Sequence, residues 1–465
     1  MNFKKLILLV VGCVLFVYAN TQPSVNQFKK GDRVVFVGNS ITHGGHYHSF
    51  IWLYYMTRFP EQPIQIINAG IGGETTWDIK KRMEDDVFRR NPTDIVLTFG
   101  MNDTGYNIFW EKNASELAEQ QIKKSFESYK EIESRLQDAE GVNIVLLGGA
   151  PYDQTSKMND FILPKKNDAL LKINSFQQAS AKEKDWGFVD FNRPMMEINK
   201  REQEKDSTFS LCGVDRIHPD NDGQMVMAYL FLKAQGLAGK KIAEINIDVL
   251  KKETTLTENC KVSDLRKNGN SLEFKYLAHA LPYPLDTVPR HGWGNKRSQR
   301  DAVELVPFIK EFNQEVLRIT NLEKGNYLLK IDQEPIAKFS SVDLEAGINM
   351  ALLTNTPQYQ QAVKIMFLNE ERFELEKRLR DYYWLEYSFL RKKGLLFADN
   401  QEAMDTIKSY LPNDIFLRAS YDNFTKARYP EIREVWKNYM DEIVETIYEM
   451  NKPLEHKLEL IKVSQ

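Results

Sequence analysis

Val34-Val35-Phe36-Val37-Gly38-Asn39-Ser40-Ile41-Thr42 is the stretch that decides how this chain folds. Four consecutive apolar residues stop at a glycine, and small polar residues follow at once. A short unbroken apolar run bounded in this way reads as a strand buried on both faces, the kind found in parallel sheets. Ser40 then stands just past the end of that strand. Working outward, similar apolar runs recur at 64–67, 94–99, 142–147 and 187–190. Amphipathic stretches at 47–59, 76–91, 115–138, 167–184 and 221–235 lie between and after them and read as helices. Strand–helix alternation predicts an α/β domain with a parallel sheet covered on both faces. Ligands bind such sheets at the carboxyl ends of the strands.

Three further blocks share that kind of placement or follow it in order: Asn68-Ala69-Gly70-Ile71-Gly72-Gly73-Glu74-Thr75, Gly100-Met101-Asn102-Asp103 and Asp215-Arg216-Ile217-His218. Each alone is weak. A Gly-Asn-Ser turn, an Asp-x-x-His loop or a capped helix start is ordinary structure. Jointly they supply a hydroxyl nucleophile, a base to take its proton, a carboxylate to orient that base, and hydrogen-bond donors for a developing oxyanion. Ser40 is the candidate nucleophile, His218 the base and later the acid, and Asp215 the partner of the imidazole. The Gly-x-Ser-x-Gly elbow of the α/β-hydrolases is absent, because Thr42 stands two residues after Ser40.

The four blocks resemble those of the SGNH (GDSL-type) hydrolase family. The resemblance implies a three-layer, flavodoxin-like parallel-sheet hydrolase domain and a serine mechanism that needs no cofactor and no metal. It also implies an oxyanion hole made of the backbone amides of Ser40 and Gly73 and the side-chain amide of Asn102. Gly70 and Gly72 are close enough to Gly73 to compete for that role. The chain departs from the family pattern at Asn39, where Asp is usual, and at Glu74, where Asp is common. Neither position is part of the chemistry.

A chain of 465 residues exceeds one small core. Its near balance of 62 basic and 65 acidic residues gives no large basic field that would favour nucleic acid. Residues 1–21 read as a signal peptide: Lys4 and Lys5, an apolar run over 6–17, and Val17-Tyr18-Ala19 at the cleavage positions. Val10-Val11-Gly12-Cys13 offers a lipoprotein-type alternative with Cys13 as membrane anchor. Either way the expected location is exported, periplasmic or extracellular. Cys212 and Cys260 could pair there or remain thiols. The expected domains are the hydrolase at 22–240, a β-rich accessory region at 241–356 interrupted by the polar and aromatic stretch 282–300, and a helical region at 357–465.

Other clusters have blander readings. His43, His46 and His48 lack a matching carboxylate or cysteine set for a metal and read as polar rings at a helix start. His291 and Trp293 could stack on a sugar or anchor a loop. Tyr382, Tyr383 and Trp384 read as core or helix–helix contact, and the dense Lys, Arg and Glu of that helix as a solvated face. The functional expectation is an exported serine esterase acting on small acyl esters, foremost O-acetyl groups on carbohydrate. Alternatives are a lipid or thioester acylhydrolase, or an inactive carbohydrate-binding protein.

Overall fold

The computed structural model describes residues 25–290 and 296–463. The expected signal peptide with Cys13, and the pair His291 and Trp293, lie outside the described residues. Strands β1 (Arg33–Gly38), β2 (Gln65–Gly70), β3 (Asp94–Phe99), β4 (Asn143–Gly148) and β5 (Gly187–Asp190) form one sheet in the order β2-β1-β3-β4-β5. Every pairing in it is parallel. Side chains along a strand alternate between faces, so Val34 and Phe36 enter one core while Val35 and Val37 enter another.

The first core is closed by α2 (Tyr47–Arg58) and α7 (Asn221–Ala234), the second by α3 (Thr76–Arg82) and α4 (Ala114–Gln137). Helix α5 (Lys166–Lys184) touches both. Ahead of α2 lies the single turn α1 (Ser40–His43), and α6 (Asn192–Gln203) follows β5. The sequence pattern missed α6, whose first turn carries Pro194 and whose composition is mostly polar. The helix expected over 76–91 ends at Arg82. A π-turn (Met83–Val87) and a 3-10 turn (Phe88–Arg90) replace its second half and set Asp86 inward.

Two further sheets follow. Strands β6 (Ala243–Asp248), β7 (Glu253–Glu258), β8 (Cys260–Asn268), β9 (Ser271–Ala278), β10 (Glu315–Thr320), β11 (Asn326–Ile331), β12 (Glu334–Ser340) and β13 (Ile348–Asn349) account for most of both. Their orders are β13-β10-β6-β7 and β12-β11-β14-β9-β8, where β14 (His456–Val463) comes from the last region of the chain. Helices α8 (Phe308–Phe312) and α9 (Ser341–Ala346) are short connections. The stretch that interrupts the strands returns to the hydrolase: Leu281, Tyr283, Phe308 and Phe312 are buried in the same core as α2 and α7.

The last region holds α10 (Pro357–Trp384), α11 (Gln401–Tyr410), α12 (Ile415–Ala427) and α13 (Pro430–Met450). It is not helical to its end. Strand β14 (His456–Val463) runs back between β9 and β11, with Leu458 and Leu460 fully buried on one face. The reading of the charged residues of α10 as a solvated face holds for Lys364, Glu371 and Arg378, which are exposed, and fails for three others. Arg372, Glu376 and Arg380 are buried, because their i, i+4 spacing makes one stripe that packs on the hydrolase domain. No described helix is long and apolar enough to cross a membrane.

Candidate active site

The end of β1 delivers Ser40 as the first residue of α1, with Asn39 as the cap: its Oδ1 accepts from the Ile41 amide at 3.0 Å. That bond is what the Asn in place of Asp still supplies. Ser40 Oγ lies 2.7 Å from His218 Nε2, and His218 Nδ1 donates to Asp215 Oδ2 at 2.5 Å. The other Asp215 oxygen accepts from the amides of Ile217 and His218 at 2.9 and 3.0 Å. Burial alone would raise the Asp215 carboxyl. The His218 hydrogen bond and charge, with the two amides, outweigh it and hold the group below its usual range. A carboxylate so placed accepts from Nδ1, which leaves Nε2 as the ring nitrogen that faces the Ser40 hydroxyl.

Between the two, Arg216 takes a left-handed φ of 67° and is fully buried. Its guanidinium donates to the carbonyls of Asp153 (3.0 Å), Ser156 (2.8 Å) and Asn159 (2.5 Å), and its own carbonyl accepts from the Asp153 amide at 2.9 Å. The loop is pinned at its middle so that both ends present side chains.

The three glycines of the second block separate on their amides. Gly70 donates to Asn68 Oδ1 at 2.8 Å, and a Cβ there would sit 2.3 Å from the His43 nitrogen, so it serves close packing. Gly72 donates to His43 Nδ1 at 3.1 Å. Gly73, with φ of 80° and open space around its Cα, has no acceptor for its amide among the described residues. It is therefore the one with a donor to offer a ligand. Asn102 is aimed by two bonds: Nδ2 donates to the Glu74 carbonyl at 2.9 Å, and Oδ1 accepts from the Tyr106 hydroxyl at 2.7 Å. One amide hydrogen of Asn102 remains for an oxyanion.

Sequence reasoning missed the residues that brace this side. Lys166 is buried and donates to the carbonyls of Met101 (2.8 Å) and Gly105 (2.5 Å) and to Thr104 Oγ1 (2.8 Å), with its ammonium 3.9 Å from the Tyr106 ring centroid. Burial pulls this lysine down to about 7, against the opposing charge of Asp103. Asp86 accepts from Arg82 (2.8 Å), Arg90 (2.5 Å) and Arg380 (2.8 Å). Burial resists its charge, but the arginines, Arg380 foremost, hold the carboxyl well below the usual range. Arg82 also binds Glu74 at 2.7 Å, and Arg380 donates to the Gly70 carbonyl at 3.2 Å. Burial pushes Glu74 up to about 7 in spite of Arg82.

The three histidines after Ser40 go to different partners. His43 Nε2 meets Asp381 at 3.1 Å, His46 meets Glu370 at 3.3 Å and stacks on Phe373, and His48 Nε2 lies 3.3 Å from the Thr42 carbonyl. Among the described residues no cluster of His, Cys, Asp or Glu is arranged to hold a metal. Cys212 and Cys260 are both buried free thiols. Trp384, read as core or helix–helix contact from sequence, does pack against the apolar cluster of the helical region, and it also donates from Nε1 to the Gly72 carbonyl at 3.1 Å. An indole at the C-terminal end of a long helix gives no sequence sign of such a partner.

A family described as GDSL-like Lipase/Acylhydrolase matches residues 36–226, and one described as Diltiazem deacetylase C-terminal helical domain matches residues 363–452. A solved structure of a gut microbial diltiazem-metabolizing enzyme is 47% identical, with 95% of this chain and 100% of that chain covered and a TM-score of 0.92. An acetylxylan esterase of Geobacillus stearothermophilus is 30% identical over 88 residues, which is 16% of this chain and only 40% of that enzyme's length.

Proposed function

The chain belongs to the GDSL-like lipase/acylhydrolase family of ester hydrolases, and from that premise we propose that it removes O-acetyl groups by a Ser40–His218–Asp215 mechanism. The observation that carries the proposal is the unbroken contact from Ser40 Oγ through His218 to Asp215, at 2.7 and 2.5 Å. His218 takes the Ser40 proton as Oγ attacks the ester carbon. The oxyanion receives the amides of Gly73 and Ser40 and the Asn102 side chain. His218 then protonates the departing alcohol, and water, activated by the same imidazole, releases acetate from Ser40.

Acetyl is favoured as the acyl group because it recurs in what the chain is similar to: one relative is an acetylxylan esterase, and the helical-domain family is described as that of a diltiazem deacetylase. Carbohydrate is proposed as the natural alcohol, acted on outside the cytoplasm after export through residues 1–21. The test is hydrolysis of aryl acetate, butyrate and octanoate by the wild type and by Ser40→Ala. Acetate preference that vanishes with the serine is expected. Preference for octanoate would replace the reading with a lipid acylhydrolase, and no turnover of any ester would replace it with a binding protein.

A further inference from the structure

A cavity of about 390 Å³ lies between the second block and the helical C-terminal region. Gly72 and Gly73 form one wall, and Trp384, Tyr387, Phe389 and Leu417 form the other. Gly73, the residue whose amide is left free, is among the lining residues, so the cavity adjoins the proposed oxyanion donor and extends from it toward the turns after α10 and the start of α12. The far wall is latched to the near one by the Trp384 bond to the Gly72 carbonyl. A Cβ at Gly72 would lie 3.4 Å from Trp384 Nε1, so the two walls touch closely at that point.

We propose that this cavity is the alcohol-side binding site, taking acetates of alcohols that carry a flat or pyranose ring, packed against Trp384 and Phe389. The inference rests on the serine-esterase reading. Acetyl itself needs a small fraction of the space, and a cavity of this size is in the range of small-molecule sites, roughly 300–1,000 Å³. The charged groups around it are largely engaged. Glu74 pairs with Arg82, Asp78 caps Thr75, and Asp414 accepts from the amides of Phe416 and Leu417. Lys393 donates to the Tyr410 hydroxyl at 2.6 Å. What remains to meet a ligand is aromatic surface together with the Gly73 amide, the Tyr387 hydroxyl and Ser388, with Lys392 exposed at the rim. Ring faces, aryl or sugar, pack on such surface through their C–H edges and faces.

The experiment compares kcat/KM for ethyl acetate, naphthyl acetate and an acetylated methyl xyloside in the wild type, Trp384→Ala and Phe389→Ala. Phe389 makes no bond to the oxyanion loop, so it guards against a merely loosened site. The ratio of ring-bearing to ethyl acetate should fall about tenfold in Trp384→Ala and about threefold in Phe389→Ala, the scale of one aromatic contact. Which ring-bearing ester falls further identifies aryl or pyranose. An unchanged ratio in both variants overturns the proposal, as does a shift in acetate against octanoate instead, which would make the cavity an acyl site. Binding of naphthol and methyl xyloside to Ser40→Ala, with and without Trp384→Ala, is read by calorimetry. Binding that needs Trp384 upholds the cavity even where no ester is cleaved. Absence of binding alongside intact ethyl acetate hydrolysis overturns the cavity and leaves the esterase standing.

Discussion

On one side of Ser40, Asp215 and His218 hold each other across three residues of a single loop, and Arg216 between them ties that loop to backbone of the hydrolase domain. On the other side, Gly73 and Asn102 come from two different strand ends, and their braces come from far along the chain. Arg380 reaches the Gly70 carbonyl, Trp384 the Gly72 carbonyl and Asp381 the His43 ring whose Nδ1 accepts from Gly72. The proposed acid–base side is thus a local device. The proposed oxyanion side is assembled by tertiary packing and is braced by the docked helical region. The C-terminal helices are therefore part of how the proposed site is held, through a face that buries charge beside apolar side chains such as Ala362, Ile365 and Phe373.

The largest effects should fall on the local side. Ser40→Ala or His218→Ala should lower kcat for an aryl acetate by on the order of 10⁴-fold or more, because each removes the proton-transfer pair outright. Asn102→Ala should cost about 10²–10³-fold, mostly in kcat, since an oxyanion donor acts in the transition state. Near-equal losses at the two positions, measured in parallel by steady-state kinetics, would break the contrast. Next comes the remote brace. Arg380→Met removes one cation from the buried Asp86 group and should destabilise the chain by about 3 kcal/mol, as broken buried pairs do. Its Tm should drop, and the remaining activity should fall more for the wild-type Asn102 background than for Asn102→Ala. Additive losses would mean that Arg380 serves stability alone.

Much of this was legible in the sequence, and the reason is physical. The blocks around Ser40, Gly73 and Asn102 stand at or just past the ends of β1, β2 and β3, and apolar runs that stop at glycine mark strand ends without any knowledge of packing. Residue type and order then name the candidates. The family resemblance named Gly73 over Gly70 and Gly72; what the sequence could not show is that the amides of Gly70 and Gly72 already have acceptors. The buried stripe of Arg372, Glu376 and Arg380 was visible only as a spacing of four, hidden because long charged side chains on a helix usually face water. Strand β14 was lost behind four helices, although its alternating Leu458 and Leu460 show the period of two. Nothing local announces that Lys166 is buried, because its neighbours Lys165 and Asn167 are as polar as any helix start.

Lys166 gives the smallest and sharpest test of how the oxyanion side is held. Its ammonium spans Met101, Thr104 and Gly105 and lies over the ring of Tyr106, whose hydroxyl orients Asn102. Burial lowers its pKa from 10.5 to about 7. Above that pH the folded chain holds a neutral amine, which loses a donor and the attraction to the ring. Activity should then decline on the alkaline side by roughly tenfold or less, the scale of one cation–ring contact and a charged hydrogen bond. Stability should move the other way. Between pH 7 and 10.5 the unfolded chain keeps the proton that the folded chain has lost, so unfolding takes up protons and the free energy of unfolding rises with pH. The slope from this one group is at most about 1.4 kcal/mol per pH unit. Falling activity and rising stability across one window is a signature that a loosened fold would not produce. Lys166→Met should abolish both trends, read by pH profiles of kcat/KM and by denaturation at each pH. An unchanged alkaline limb in that variant would remove Lys166 from the account and leave the aim of Asn102 to Tyr106 and the Glu74 carbonyl alone.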